Sequence, residues 1–320
     1  MHHPEETVTI NCVNPLQAIK IEPGHLHGDT TIMFIKTGCE IAIACDQPGP
    51  FIAMLQVHPE RADALCAPDD VTAAPAIPLE PFLDQYGNRC VRGVLPVGEL
   101  RLTAGTLVDE PFEPDAWVPD APQLPVEALP VETLRFLLGS RYCEVDRLMG
   151  DAWALFGAVA PGWARVQAVC DWIHTNVVFG YAHARPNMTA WEVFERRAGV
   201  CRDFAHLAIA FCRALNIPAR YGTGYLGDID IEPEPFPMDV SAWFEVFLGG
   251  AWYTFDARFN TRRRGRILMA RGRDAADCAV LTTFGPHRLV EWRVWTDEAR
   301  DVPDSVISEA GARQALYGRR

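Results

Sequence analysis

Several things are missing from this sequence, and each absence removes a class of protein. No segment approaches the roughly 18 consecutive apolar residues that a membrane-spanning helix needs, so no membrane partner is expected. The start, MHHPEETVTINCVN, has no basic stretch followed by an apolar core and so does not look like a secretory signal. A cytoplasmic protein is the expectation. Positive charge is scarce: 29 Lys and Arg stand against 42 Asp and Glu, a formal net charge of -13. Nucleic-acid surfaces draw much of their affinity from clustered cations, so no nucleic-acid partner is expected. The one basic run, Arg262 to Arg266 (RRRGR), reads as a solvated loop. No Cys-x-x-Cys pair occurs, and the ten cysteines are scattered in spacings that match no common zinc pattern. They read as reduced, small, buried hydrophobes; neither a metal nor a cofactor is expected. No repeat of 20 to 50 residues is apparent.

What is present points to more than one unit, because 320 residues exceed the roughly 250 to 300 at which a single core stops growing. Residues 1–29 form a leader. From Thr30 short apolar runs (TIMFI, EIAIAC, PFIAMLQV, VRGVLP, LRLTAGTLV) alternate with Asp46, Gly49, Pro50 and Asn88, the pattern of an antiparallel β domain over 30–110. Tyr86 to Cys90, YGNRC, is a turn between two of its strands. Prolines at 111, 114, 119, 122, 125 and 130 forbid regular helix or central strand and mark a linker over 111–130. A core follows over 131–300, then a tail over 301–320.

Within that core, Trp163, Val166, Val169, Cys170, Ile173 and Val177 share one helix face. A second helix opens at Thr189, where TAWE is a capping box, and stops near Arg197, with Gly199 suited to the left-handed cap. A third runs from Cys201 to a point before Pro218, with Phe204, Leu207, Ala208, Phe211 and Leu215 as its buried stripe. A thiol in the first turn faces unpaired N–H groups and the positive end of the helix dipole. Its pKa is expected to fall, making Cys201 a nucleophile; a buried structural cysteine is the alternative. His206, five residues on, is rotated by about 140°, so it reads as structural, bonded to Asp203 or the preceding loop. His174 reads as a helix-boundary residue.

Ser241 to Arg258, SAWFEVFLGGAWYTFDAR, alternates aromatic and aliphatic residues on either side of Gly249 and Gly250, a hairpin signal. Its ladder places Phe247 opposite Trp252, Glu245 opposite Thr254, Trp243 opposite Asp256 and Ser241 opposite Arg258. Ala242, Phe244, Val246, Leu248, Ala251, Tyr253, Phe255 and Ala257 make the core face. The other face holds Ser241, Trp243, Glu245, Thr254, Asp256 and Arg258, with Ser241 and Asp256 about 7 to 8 Å apart as diagonal neighbours.

The helix opening GVCRDFAHLAIAFCRALNIPARYGTGY, followed by AWFEVFL-GG-AWYTFDAR, resembles the bacterial transglutaminase-like superfamily of papain-type cysteine enzymes. The motif block spans Ala190 to Arg258, and a weaker similarity extends over Thr30 to Asp297. The resemblance implies an α+β fold: an N-terminal antiparallel β domain before a papain-like transglutaminase core, with helices packed on an antiparallel sheet. It makes Cys201 the nucleophile and Asp256 the orienting aspartate, and it puts Ser241 where the family has its histidine. The implied activity is amide chemistry on a peptide or protein substrate through a Cys thioester, as peptidase, amidase or acyl transferase. A histidine base contributes about 10²- to 10⁴-fold in rate, so its loss leaves three accounts open. His183, 18 residues before Cys201, serves as a relocated base; Ser241 relays through water to Asp256; or the cleft binds peptide or protein without turnover. The Cys201 N–H and an indole N–H of Trp191 or Trp243 are the candidate oxyanion donors. Arg185 and Arg258 are candidates for holding a substrate carboxylate, and Arg258 alternatively pairs with Asp256 or Glu245. No oligomeric state follows from the sequence.

Overall fold

The apolar runs after Thr30 assemble into fewer and longer strands than their punctuation suggests. In the structure, a computed structural model describing residues 32–111 and 113–317, the described part of TIMFI, from Ile32, and EIAIAC fall in a single strand, β1 (Ile32–Cys45). Gly38, between the two runs, is a close approach: a Cβ there would meet the Trp295 ring at 2.4 Å and the Ala104 carbonyl at 2.5 Å. The chain continues through β2 (Gly49–Ala53), β3 (Thr72–Ala74), β4 (Glu80–Leu83), β5 (Arg89–Leu95) and β6 (Gly98–Pro111). YGNRC joins β4 to β5, as its turn residues require. The expected leader, 1–29, lies outside the described residues.

Of the proline-rich stretch, Pro111 ends β6, an inner strand, contrary to the expectation from proline; its other described residues form no strand or α-helix, yet they are pinned along the core. Trp163 donates to the Ala121 carbonyl at 3.1 Å, Gly249 to that of Pro122 at 2.8 Å, and the Gln123 amide to that of Leu215 at 2.9 Å.

Beyond it come α1 (Val145–Phe156), α2 (Trp163–Asn176), β7 (Val178–Phe179), α3 (Ala190–Arg196), β8 (Ala198–Gly199) and α4 (Cys201–Ala214). The capping box at Thr189 is formed, but the left-handed residue after α3 is Arg197, at φ 56°, and not Gly199. Gly199 is needed for space, because a Cβ there would meet the Asp203 side chain at 2.7 Å. The remaining strands of this unit are β9 (Ala219–Leu226), β10 (Ser241–Leu248), β11 (Ala251–Phe255) and β12 (Arg266–Gly272), in sheet order β11-β10-β9-β12 and antiparallel throughout. The hairpin register is as expected for Glu245 with Thr254 and Phe247 with Trp252; pairing stops at Phe244 with Phe255, before Asp256.

One expectation for α4 was too modest. Every one of its residues is buried, since α1, α2 and α3 close over the side that the sheet leaves open. A helix enclosed all round must satisfy its polar residues internally. Arg213 does so by donating to the carbonyls of Leu138, Ala219 and Arg273 and to the Ser140 hydroxyl.

The chain then returns to its beginning. β13 (Leu281–Thr283) pairs with β2, and β14 (Arg288–Glu298) pairs with β1 over ten residue pairs, before α5 (Asp304–Tyr317). Two four-stranded sheets result, β14-β1-β6-β3 and β13-β2-β5-β4, sharing a core of Ile41, Ile43, Phe51, Val91, Leu102 and Leu281. Tyr225, Ile267 and Met269 of the other sheet join that core, and the Tyr225 hydroxyl donates to the Leu55 carbonyl at 2.7 Å. The β unit is thus a sandwich completed by C-terminal strands and packed on the sheet that carries the candidate site.

Candidate active site

Cys201 is the first residue of α4, after an extended Val200 (φ -109°, ψ 176°). Valine offers no capping oxygen, so the Asp203 carboxylate reaches back and accepts the Val200 N–H at 2.9 Å. Arg202 steadies that carboxylate at 3.0 Å and donates to the Arg185 carbonyl. The CRD triplet therefore fixes the start of the helix, and with it the thiol.

The thiol pKa corrects the expectation drawn from the helix dipole. Cys201 is 6% exposed, and burial pushes the thiol up to about 11; the Arg258 charge and an N–H from Ala242 favour the thiolate, while Asp239 and Asp203 oppose it. Desolvation outweighs the dipole because the first turn lies inside the apolar core.

Across from it, Ser241 opens β10, half-buried, its carbonyl accepting the Thr223 hydroxyl at 2.9 Å. Asp256 follows β11 and is 6% exposed. Its Oδ1 accepts the N–H groups of Arg258 (3.0 Å) and Phe259 (3.1 Å), and its Oδ2 accepts from Arg266 at 3.3 Å. Arg266 also pairs with Asp115 of the proline-rich stretch at 3.2 Å and lies 4.7 Å from the centre of the Trp243 ring. Among the described residues no hydrogen bond joins Ser241 to Asp256. The Arg258 side chain pairs with neither Asp256 nor Glu245: it pairs with Glu234, while Glu245 is held by Arg220 and Arg271. That face of the hairpin is buried, with Trp243 at 2% and Glu245 at 7% exposure. It is a charged interior made tolerable by matched arginines.

No imidazole hydrogen-bonds the Cys201 sulfur among the described residues. His206 is structural, but its partner is neither Asp203 nor the preceding loop: Nε2 accepts the Ala275 N–H at 3.1 Å, and the ring stacks on Tyr142 at 5.1 Å. Burial drives its pKa well below the ordinary 6.5. His183 sits exposed on a 3-10 turn, its ring folded back over Gly180. His174 caps the end of α2, where Nδ1 meets the Arg258 carbonyl at 2.8 Å. Trp191 packs beneath Arg147 (4.4 Å) and beside Phe194. Trp243 lies against Gly222, where a Cβ would come within 2.6 Å of the indole nitrogen, and that nitrogen has no partner. Arg185 is exposed.

A cleft opens at Ser241, lined also by Tyr181, Glu234, Phe236, Arg258 and Arg263. Here the basic run differs from its reading as a solvated loop. Gly265, at φ 72°, turns the chain so that Arg263 (4% exposed) enters the cleft wall and Arg266 enters the Asp256 network. These residues, with Glu234 and Asp239, escaped the sequence reading. The available signal was an arginine run placed directly after the FDAR motif of an acidic chain.

Comparison with known proteins agrees with this architecture. A model of the transglutaminase-like superfamily matches residues 155–257. A candidate cysteine protease from Cytophaga hutchinsonii, known from its crystal structure at 1.9 Å, is 32% identical; the likeness covers 86% of this chain and 93% of that one, with a TM-score of 0.74. An uncharacterized Mycobacterium leprae protein, ML0607, is 27% identical over 119 residues, 36% of this chain; this chain spans 42% of that protein's length. The periplasmic domain of TgpA from Pseudomonas aeruginosa is 16% identical with a TM-score of 0.36, over 72% of this chain and 89% of that one. The chain belongs to the transglutaminase-like superfamily, with an N-terminal β region ahead of the core. No helix among the described residues is long and apolar enough to cross a membrane.

Proposed function

We propose that the protein acts on peptide or protein amides through Cys201. The Cys201 sulfur attacks the amide carbonyl carbon, the C–N bond breaks, and the thiol proton leaves on the departing nitrogen. A thioester remains. Water or an amine then attacks that carbonyl, returning the thiol and releasing acid or a new amide. The observation that carries this reading is the placement of Cys201: first residue of an enclosed helix, where the Arg258 charge and the Ala242 backbone favour its thiolate. Ser241 lines the cleft and, with a water oriented toward Asp256, carries the thiol proton across to the departing nitrogen. The Cys201 N–H, at the helix start, faces the developing oxyanion. The nine described cysteines are unpaired, which supports a reducing, cytoplasmic setting.

A specific observation favours a second reading. Burial puts the thiol at about 11, no imidazole among the described residues is bonded to it, and Asp256 is engaged with Arg266; these observations favour a cleft that keeps its peptide and has lost turnover. The deciding experiment assays release of amine from peptide amides by the protein and by Cys201→Ala, with intact-mass detection of an acyl adduct. Turnover that disappears with Cys201 supports the enzyme. Turnover unchanged in Cys201→Ala removes Cys201 as nucleophile, and peptide binding without turnover assigns the module.

A further inference from the structure

We propose that the cleft beside Ser241 receives a carboxylate of the bound peptide on Arg258 and Arg263, and that Glu234 fills this place in the free protein. The proposal rests on the reading of the cleft as a peptide site.

Arg263 is the first observation. It is 4% exposed, its Nη2 donates to the Gly227 carbonyl at 2.8 Å, and its Nε and Nη1 have no partner. Buried guanidinium donors left open are costly, and they line the cleft wall. Arg258 is the second. Its guanidinium lies 3.6 Å from the Phe179 ring centre and 4.4 Å from that of Phe259. Phe259 also carries Arg263, at 4.4 Å. Phe259 thus packs against both guanidiniums, and both arginines line the same cleft, where each offers planar donors to a carboxylate.

The Glu234 carboxylate, paired with Arg258, comes from residues 227–240, which form no helix or strand. Pro233, Pro235 and Pro237 keep this segment extended. It is anchored at both ends: Ile229 and Met238 pack on the β core, Asp230 pairs with Arg264 at 3.0 Å, and Val240 is buried. The Glu234 N–H donates to Asp228 at 3.2 Å, Phe236 (44% exposed) meets Tyr181 at 5.1 Å, and Asp239 accepts from Trp292 at 2.8 Å. Between those ends, residues 232–237 are exposed apart from the half-buried Glu234, so the Glu234 carboxylate can leave Arg258 without unpacking the core. An incoming carboxylate can take over Arg258 from Glu234 and satisfy the open donors of Arg263. Because Asp228 and Asp239 remain beside the pair, the site demands close geometry and not mere negative charge.

The test uses full-length Cys201→Ala protein, so that turnover plays no part. It is titrated calorimetrically with three acetylated hexapeptides: one with a central Glu and an amidated end, its Gln counterpart, and that Gln peptide with a free C-terminal carboxylate. A carboxylate peptide should bind about tenfold more tightly than the amidated Gln peptide. Whichever carboxylate gains identifies its source, side chain or chain end. Adding Glu234→Gln should strengthen carboxylate binding further, and Arg263→Gln should abolish the preference while Arg263→Lys keeps part of it, each with an unchanged melting temperature. Equal binding of all three peptides with and without Glu234→Gln, or no binding at all, overturns the proposal. Amide turnover without carboxylate preference would sink this inference alone, and carboxylate preference without turnover would sink only the enzymatic reading.

Discussion

Arg266 reaches the carboxylate of Asp256 at 3.3 Å from a strand that is not its neighbour in the hairpin, and ties it to Asp115 in the proline-rich stretch. Both side chains are nearly closed to solvent, at 4% and 6%. Removing one partner of such a pair strands the other. Arg266→Met should cost about 3 to 5 kcal/mol, measured by urea unfolding. A loss below about 1 kcal/mol, the scale of an exposed pair, would mean that Asp256 does not depend on Arg266.

An ionised carboxylate has roughly four acceptor positions. Asp256 uses two on backbone N–H groups and one on Arg266, which leaves one for an imidazole. Ser241→His should therefore raise amide turnover by about 10²-fold, the lower end of what a general base supplies. A folded variant without gain would show that the Arg266 contact has taken Asp256 out of service.

The thiol of Cys201 is pulled in two directions. Burial has set it at about 11, with Arg258 favouring the thiolate and Asp239 disfavouring it. Alkylation of Cys201 by iodoacetamide at pH 7 should be slower than that of glutathione and should climb toward pH 11. Asp239→Asn should shift the midpoint down, and Arg258→Gln should shift it up. A midpoint below the ordinary 9.0 would restore the helix dipole as the dominant influence.

His206 is buried neutral, its pKa held well below 6.5 by burial and by the charges of Arg202 and Arg213. The unfolded chain binds a proton below about pH 6.5 and the folded chain does not, so stability falls as pH falls through that value. The slope approaches about 1.4 kcal/mol per pH unit. His206→Gln should remove it from unfolding free energies measured between pH 7.5 and 5. An identical slope in the variant would place the titration elsewhere.

Local signals carried far in this chain. The capping box at Thr189, the helix that starts at Cys201 and the Gly249–Gly250 hairpin all depend on residues close in sequence, and all were legible. What was not legible depends on distant partners. Nothing near Arg266 announces Asp115, 151 residues away. Nothing in RRRGR distinguishes a solvated run from one turned inward by Gly265. The dipole argument for Cys201 was correct about position but silent about the three helices that dehydrate it. Strands β13 and β14 look like part of the core by position, and only their pairing reveals the β sandwich to which they belong.

That pairing has a consequence for how the protein is made. β1 lies between β6, which is synthesised soon after it, and β14, which ends at Glu298. On the ribosome, the first sheet must wait with one edge of β1 open until β14 has emerged. The enclosed helix of Cys201 and its own sheet, complete by Gly272, can settle earlier. The half that carries Cys201 is the template on which β1 and β14 are sewn together.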